Sequence, residues 1–474
     1  MSVWHSRLPL PVCRWQNRCA GNDLDQRRLR RGLAKSALEK ESGLNRRENG
    51  LGSLACRHRW GLVVCTLNVC ITLSGAARAA EPQFSAGSFF DSLDFRDMPF
   101  IPIPEVGTDP DSGTILGFLP VFLTTDENRE IRRILAPDVI YDPNFGLGAR
   151  GRIFGYPSED TEWYVVGGLK QRVEREFDAF YTTGLTRQDT WSFSMQTVYD
   201  RNGTRRFYGI GNQSNLSNET TYVNELAYVE ARLGWNLNHA WQVAYMARPR
   251  FEDVEAGVLD TVPSIQTRFP VVGRLGNEHD FLNMISVTYD TRDSLTIPSR
   301  GVEFVGYAGL SDAAFAGSAS YSIMGLDARN YWPVTQKLII ASHAALRYMP
   351  SDQNAPFWAL SSLGGDRSVV AGAQPLRAFG ENRFIDRDSF SASIELRYRV
   401  LDLQLFTTNV SLELAPFAEA GRVFHEIGDN PLSSLHTAGG MGFRALARPS
   451  IVGYVDVGYG SEGSAVFSGI NYPF

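Results

Sequence analysis

The sequence predicts an all-β chain folded as an antiparallel transmembrane β-barrel. Three observations carry that expectation. The chain has an export signal, most of its length alternates apolar and polar residues with period 2, and its last stretch, SGINYPF, sets Ile470, Tyr472 and Phe474 on one parity. Taken in order, the elements support it.

The segment Arg57 to Pro82 runs from basic residues through about 15 mostly apolar ones to Ala77-Arg78-Ala79. That is the layout of a secretory signal peptide, too short and too weakly apolar for a spanning helix. Residues 1–79 are therefore expected to be a leader, with the signal at about 57–79 and cleavage after Ala79. The basic, unpatterned stretch upstream of it reads as a non-native extension. Cys13, Cys19, Cys56, Cys65 and Cys70 all precede the cleavage site, so the exported part has no thiol for a disulfide or a metal. The first 80 residues hold 14 Lys and Arg against 5 Asp and Glu, which leaves 32 basic and 47 acidic residues beyond them. A net charge near −15 argues against nucleic acid as a partner, which would want a basic surface.

Residues 80–113 contain PFIPIPEVGTDPDSG and are expected to be a short Pro-rich periplasmic segment. From 114 to 474 the chain reads as about sixteen strands. In FSASIELRYRV, residues 390–400, Phe390, Ala392, Ile394, Leu396, Tyr398 and Val400 share one face, while Ser391, Ser393, Glu395, Arg397 and Arg399 share the other. WSFSMQTVY, residues 191–199, repeats the pattern, and turn-rich spacers such as DRNG, PSRG and SDQNAP separate the segments. A soluble sandwich would turn the apolar faces inward and an outer-membrane barrel would turn them to lipid. Alternation alone does not choose. The export signal, strand lengths of about 9 to 11 residues and the need to close a sheet's edges in lipid favour the barrel. Val466, Ile470, Tyr472 and Phe474 are then expected to form the outward stripe of the last strand.

SGINYPF also resembles the carboxy-terminal signal of bacterial outer-membrane barrels, with Ser468, Gly469, Tyr472 and Phe474 at its positions. Three further stretches resemble the BamA/TamA family of bacterial surface antigen barrels. LGGDRSVVAGAQPLRAFGENRF (363–384), followed by IELRYRV, is similar to the family's inward-folding loop and the strand after it. PFAEAGRVF (416–424) is similar to its Phe-x-Asp-x-Gly strand. RFYGIGN (206–212) and YDTRDSLTIPSRG (289–301) are similar to its strand-end motifs. The resemblance implies a sixteen-stranded barrel in the outer membrane, facing lipid. It also implies a role in inserting or translocating outer-membrane proteins or other envelope components. Client proteins and periplasmic chaperones are then the expected partners, and no cofactor or metal is expected. Residues 81–113 are too few for a POTRA module, so a barrel-only member is expected.

The resemblance places Arg377 and Phe379 at the tip of the lumen loop, with Glu419, Phe417, Gly421, Glu395 and Arg397 as candidate wall partners. A guanidinium fork suits carboxylate oxygens. Two positions depart from the family: Ala378 stands where it has glycine, and Glu419 where it has aspartate.

A passive channel plugged by its own loop remains an alternative, and so does a barrel hydrolase. No enzyme is expected, because no nucleophile is marked. GLGARG (146–151) and GYGSEG (458–463) open no helix, HEIGD at His425 lacks the second histidine of a zinc motif, and His239, His279, His343, His425 and His436 are scattered.

Overall fold

A computed structural model describes residues 100–474, apart from 110–112, 128–130, 313, 315–316, 406–407, 427 and 448–450. The expected leader and the start of the Pro-rich segment lie outside the described residues. The wall begins with β1 (Phe100–Asp109), β2 (Gly113–Thr125), β3 (Ile131–Leu135), β4 (Asp138–Asp142) and β5 (Gly146–Ser158). It continues with β6 (Thr161–Lys170), β7 (Arg175–Thr183), β8 (Trp191–Asn202), the two-residue β9 (Arg206–Phe207), β10 (Thr220–Asn236) and β11 (Trp241–Ala256). Then come β12 (Gly276–Asp290), β13 (Gly301–Ser311), β14 (Tyr321–Pro333) and β15 (Leu338–Ser351). A long loop carries β16 (Ser361–Leu363) and β17 (Phe384–Asp386). The last strands are β18 (Asp388–Leu405), β19 (Thr408–Phe424), β20 (His436–Ala447), β21 (Ile451–Gly460) and β22 (Gly463–Ile470).

From β5 onward each wall strand pairs antiparallel with the next, β8 pairing with β10 past the small β9. The ladder runs on through β15 to β18 and then to β22. β3 and β4 both pair with β2 on one side and β5 on the other, so they are one strand interrupted at Ala136-Pro137. β1 pairs with β2 and meets β22 at Thr108 opposite Val466, which closes the ring. Among the described residues the circuit thus holds eighteen strands rather than sixteen, counting β3 and β4 as one and leaving out β9. The strand that lies outside the 114–474 stretch read as strands is β1, which opens a hairpin with β2. It comes from the stretch expected as a periplasmic segment: the prolines there do not prevent a ladder, because Pro102 lies opposite Pro120 and such a pair needs no donor at a non-exchanging position.

The direction of the side chains separates a barrel from a sandwich. On β18, Ile394 is 45% exposed and Leu396, Tyr398 and Val400 are similarly open, while Ser391, Ser393, Glu395 and Arg397 are buried. Apolar out and charged in is the inverse of a soluble fold and matches lipid outside a polar lumen. Trp191 and Trp235 face each other across β8 and β10, Trp241 packs tilted against Tyr289 with ring centres 4.8 Å apart, and Trp332 lies in the last two residues of β14. All four tryptophans are exposed, and all lie at one end of the barrel, as an interfacial girdle would.

The last residues overturn an expectation. β22 stops at Ile470; Asn471 takes a left-handed φ of +78° and donates its N–H to the Val452 carbonyl at 2.7 Å. Asparagine tolerates that conformation, and Pro473 could not have continued the ladder. Tyr472 and Phe474 therefore turn into the lumen instead of facing lipid. Phe474 is 6% exposed, with its ring 5.2 Å from His343 and its carbonyl accepting from the Tyr331 hydroxyl. Tyr472 packs against Ile297, Leu446 and Val452.

Candidate functional site

The loop between β15 and β18, residues 352–387, folds into the barrel. Its stalk is the β16–β17 pair, which sets Ser361 opposite Asp386 and Leu363 opposite Phe384. Gly364 has a φ of +124°, and a side chain there would collide with the Gly380 carbonyl, so the stalk needs glycine. Leu363, Leu376, Ala378, Phe379 and Phe384 form an apolar core with Val423 and Ala438 of the wall. Phe379 belongs to this core, with its ring 5.2 Å from Phe384 and 6.0 Å from His436.

At the tip the Phe379 and Ala378 amides both donate to the Leu376 carbonyl, a turn that leaves Ala378 out of the left-handed region. Alanine is thus compatible with this tip. The turn projects Arg377 into the wall, where it is 0% exposed. Its Nε donates to Glu419 Oε1 at 2.8 Å and its backbone N–H to Glu419 Oε2 at 2.6 Å. Its Nη1 donates to Glu395 Oε1 at 2.6 Å and to Asp456 Oδ2 at 2.8 Å. The guanidinium carbon lies 3.7 Å from the centre of the Phe417 ring, a cation–π contact.

Around this guanidinium the charges form a network. Glu395 Oε2 accepts from Arg397 Nε at 2.9 Å, and Arg444 bridges Asp456 and Glu395. Arginines 377, 397 and 444 thus face Glu395, Glu419 and Asp456, all buried, on β18 to β21 and the loop. Taking charges out of water is costly, so such a network is favourable only when each charge has its partners. Arg397 extends it to the end of the chain: its guanidinium lies 3.7 Å from the Tyr472 ring, and the Tyr472 hydroxyl donates to Glu413 at 3.2 Å.

Of the sequence candidates, Glu419, Glu395 and Phe417 touch Arg377, while Arg397 acts through Glu395. Gly421 does not touch it; a Cβ there would lie 3.0 Å from the Leu363 side chain, so this glycine makes room for the stalk. Gly469 packs under the Tyr454 hydroxyl. Sequence reasoning missed Asp456, Arg444, Gly440 and Gly458. Gly440 leaves space for the Phe417 ring and Gly458 for the Arg377 backbone. The signal for Asp456 was present in IVGYVDVGYG, where it shares the inward parity of Val452, Tyr454 and Gly458.

One trio bears on the hydrolase alternative. Ser368 Oγ and Asp327 Oδ2 lie 3.3 and 3.1 Å from His343, but both are at Nε2, and Nδ1 is buried without a partner. A nucleophile–base–acid relay needs the acid on the other ring nitrogen.

Around a polar lumen filled by an inward loop, the wall is that of an outer-membrane β-barrel. A family profile described as the Omp85 superfamily domain matches residues 164–447. The chain belongs to the Omp85 superfamily. It is a BamA/TamA-type β-barrel of the bacterial outer membrane, in the class that inserts or translocates outer-membrane proteins. Among solved structures it is similar to BamA from Haemophilus ducreyi lacking POTRA domains 1–3, with 13% identity and a TM-score of 0.45 over 78% of this chain and 74% of that one. It is also similar to CdiB from Escherichia coli, with 10% identity and a TM-score of 0.43 over 79% of this chain and 62% of that one. For CdiB from Acinetobacter baumannii the identity is 10% and the TM-score 0.40, over 79% and 59%. A comparison with curated protein sequences finds no match.

Proposed function

We propose that this barrel assists the insertion or translocation of outer-membrane proteins or other envelope components, and that the loop around Arg377 sets the state of its lumen. Membrane lipid is its solvent, and client proteins, with the chaperones that deliver them, are its partners. No catalytic chemistry is assigned to it.

The observation that carries this reading is the Arg377 cage. An inert stopper needs bulk alone, and apolar packing would supply it without the desolvation cost of buried charge. An ionic cage behaves differently: withdrawing the guanidinium strips buried Glu419 of its ion-pair partner and takes one cation from Glu395 and Asp456, which keep Arg397 and Arg444, so the loop has a docked state and an undocked state with little between. That bistability suits a gate.

The test is to replace the native gene with an Arg377→Ala copy in the host and to inventory outer-membrane proteins and lipids. Conductance of the purified barrel in planar bilayers is measured alongside. A changed inventory supports the assembly role. Raised conductance with an unchanged inventory refutes it and leaves a passive plugged channel.

A further inference from the structure

We propose that the turn between β12 and β13, residues 291–300, is a strap laid across the lumen at the girdle end, pinned by the side chain of Ile297 alone, and that its release opens the chamber beneath it. The strap governs access to the lumen, and it does so whether or not the barrel inserts other proteins.

The turn is built as one piece. At the same end β5 and β6 are joined through 159–160, β10 and β11 through 237–240, and β14 and β15 through 334–337, whereas β12 and β13 are joined through the whole of 291–300. So long a turn holds a shape only if its own groups tie it, as short acidic and hydroxyl side chains do. Asp293 supplies the tie. Its Oδ1 accepts from the Ser299 and Arg300 amides at 2.8 and 3.2 Å, its Oδ2 accepts from the Ser299 hydroxyl, and its own N–H donates to the Arg300 carbonyl at 3.2 Å. Ser294 Oγ accepts from the Ile297 amide at 3.1 Å, which sets the tip. At the foot the Thr291 amide donates to the Val302 carbonyl at 2.8 Å, and Arg292 pairs with Asp290 and Glu303. Gly301 completes the foot: its φ is +101°, and a Cβ there would strike the Thr291 carbonyl.

The tip reaches a different part of the wall. Ile297 is 4% exposed and packs with Leu446 and Val452, inward residues of β20 and β21, and with Tyr472. Along the wall β14, β15, β18 and β19 stand between β13 and β20, so the contact crosses the lumen and does not follow the sheet. Under the turn lies a cavity of about 680 Å³, lined by Ser294, Leu295 and Thr296 of the strap and by Arg187, Arg329 and Phe474 among others. An isoleucine gains nothing from so charged a lining, and Ile297 seats instead on the apolar patch beside it.

Nothing polar holds the tip down. Among the described residues no hydrogen bond or ion pair joins 294–298 to β20, β21 or β22. Release therefore strands no buried donor or charge, and it re-exposes only apolar surface. One buried isoleucine favours the strapped state by roughly ten- to a hundredfold, which leaves a released state of a few per cent. A minor state of that size is one that a ligand or a partner can select. The Arg377 cage is the opposite kind of fastening, because undocking it parts buried charges.

The experiment uses the full chain in lipid nanodiscs, with the five native cysteines, all before residue 71, replaced by serine. Ser368→Cys, on the inward loop and in the lining of the cavity, then places the sole thiol beneath the strap. The readout is its rate of alkylation by a maleimide carried on a bulky polyethylene glycol. Ile297→Ser is expected to raise that rate about tenfold or more, and Ile297→Val by only a few-fold. Leu295→Ser, on the same turn but 40% exposed, is expected to leave it unchanged. Equal rates in the two serine variants overturn the proposal. Val452→Ala takes away part of the seat without touching the turn and is expected to raise the rate several-fold. It decides the matter where Ile297→Ser does not fold, and a rate unchanged by Val452→Ala then overturns the proposal.

Discussion

Gly458→Ala is the sharpest test of the docked loop, because it touches neither charge nor polarity. A Cβ built on Gly458 lies 2.5 Å from the Arg377 carbonyl carbon and closer still to its oxygen, against an ordinary contact of at least 3.4 Å. Both partners are backbone, so no side chain can swing away. The tip must retreat by about 1 Å or more, and Arg377 bonds now at 2.6 to 2.8 Å would stretch beyond hydrogen-bonding range. Breaking a buried ion pair costs about 3–5 kcal/mol, so the undocked population should rise by roughly two to four orders of magnitude. Gly453→Ala on the same strand is the control, since the nearest atom to its Cβ is 4.0 Å away. Protease cleavage within residues 352–387 in detergent, and channel conductance, measure the undocked state. If the two alanine variants behave alike, the loop is not seated on Gly458 and the reasoning fails.

Three other outcomes follow from the same geometry. Arg377→Lys keeps the charge but has one nitrogen for contacts now spread over Nε and Nη1, so it should undock nearly as far as Arg377→Ala, a loss of about 2–4 kcal/mol read by the same proteolysis. Burial pushes the Asp366 carboxyl in the loop above the usual aspartate range, even though the Tyr454 hydroxyl donates to it. Its raised pKa means docking is favoured when it is protonated, and that contribution is lost as pH rises through the shifted value. Docking should therefore weaken between about pH 4 and that value in the native chain, and Asp366→Asn should flatten the profile of proteolysis against pH. Ile394→Arg on the lipid face should cost about 2–4 kcal/mol and lower the fraction of folded barrel on heat-modifiability gels; an unchanged fraction would mean that Ile394 does not face bilayer.

How much of this was legible in the residues follows from what each feature depends on. The outward face of β18 is written in FSASIELRYRV because a strand's two faces alternate until a bulge interrupts them, and on β18 the register shifts only beyond Arg399. Glu419 and Glu395 came from the family resemblance, and both lie on the inward parity of their strands. Asp456, Arg444 and Gly458 obey the same alternation but matched no motif, and a glycine's role as floor for a loop is visible only when the loop is in place. The inward turn at Asn471 could not be seen, since extending the parity of β22 through Tyr472 and Phe474 assumes that the strand continues. The first strand of the hairpin, β1, was hidden by its prolines. They read as a linker because a proline usually ends a ladder, and only the register, with Pro102 against Pro120, shows that they weaken one flank of β1 and spare the other.

These two misreadings concern the same corner of the barrel, and the physics connects them. A chain that left Tyr472 and Phe474 in the wall would give β22 two further inward and outward positions, and with them more edge to be satisfied in lipid. Turning them into the lumen shortens that edge and places the Tyr472 ring on Arg397, two residues from Glu395 of the cage. The end of β22 and the loop are then mechanically joined: a shift of Ile470 and Asn471 would carry with it the ring that covers Arg397. A cage held by Arg377 from the loop side and braced by Tyr472 from the β22 side has two handles. On this geometry Tyr472→Ala should loosen the loop without touching it, whereas Phe193→Ala, a lipid-facing aromatic change on the distant β8, should leave it docked.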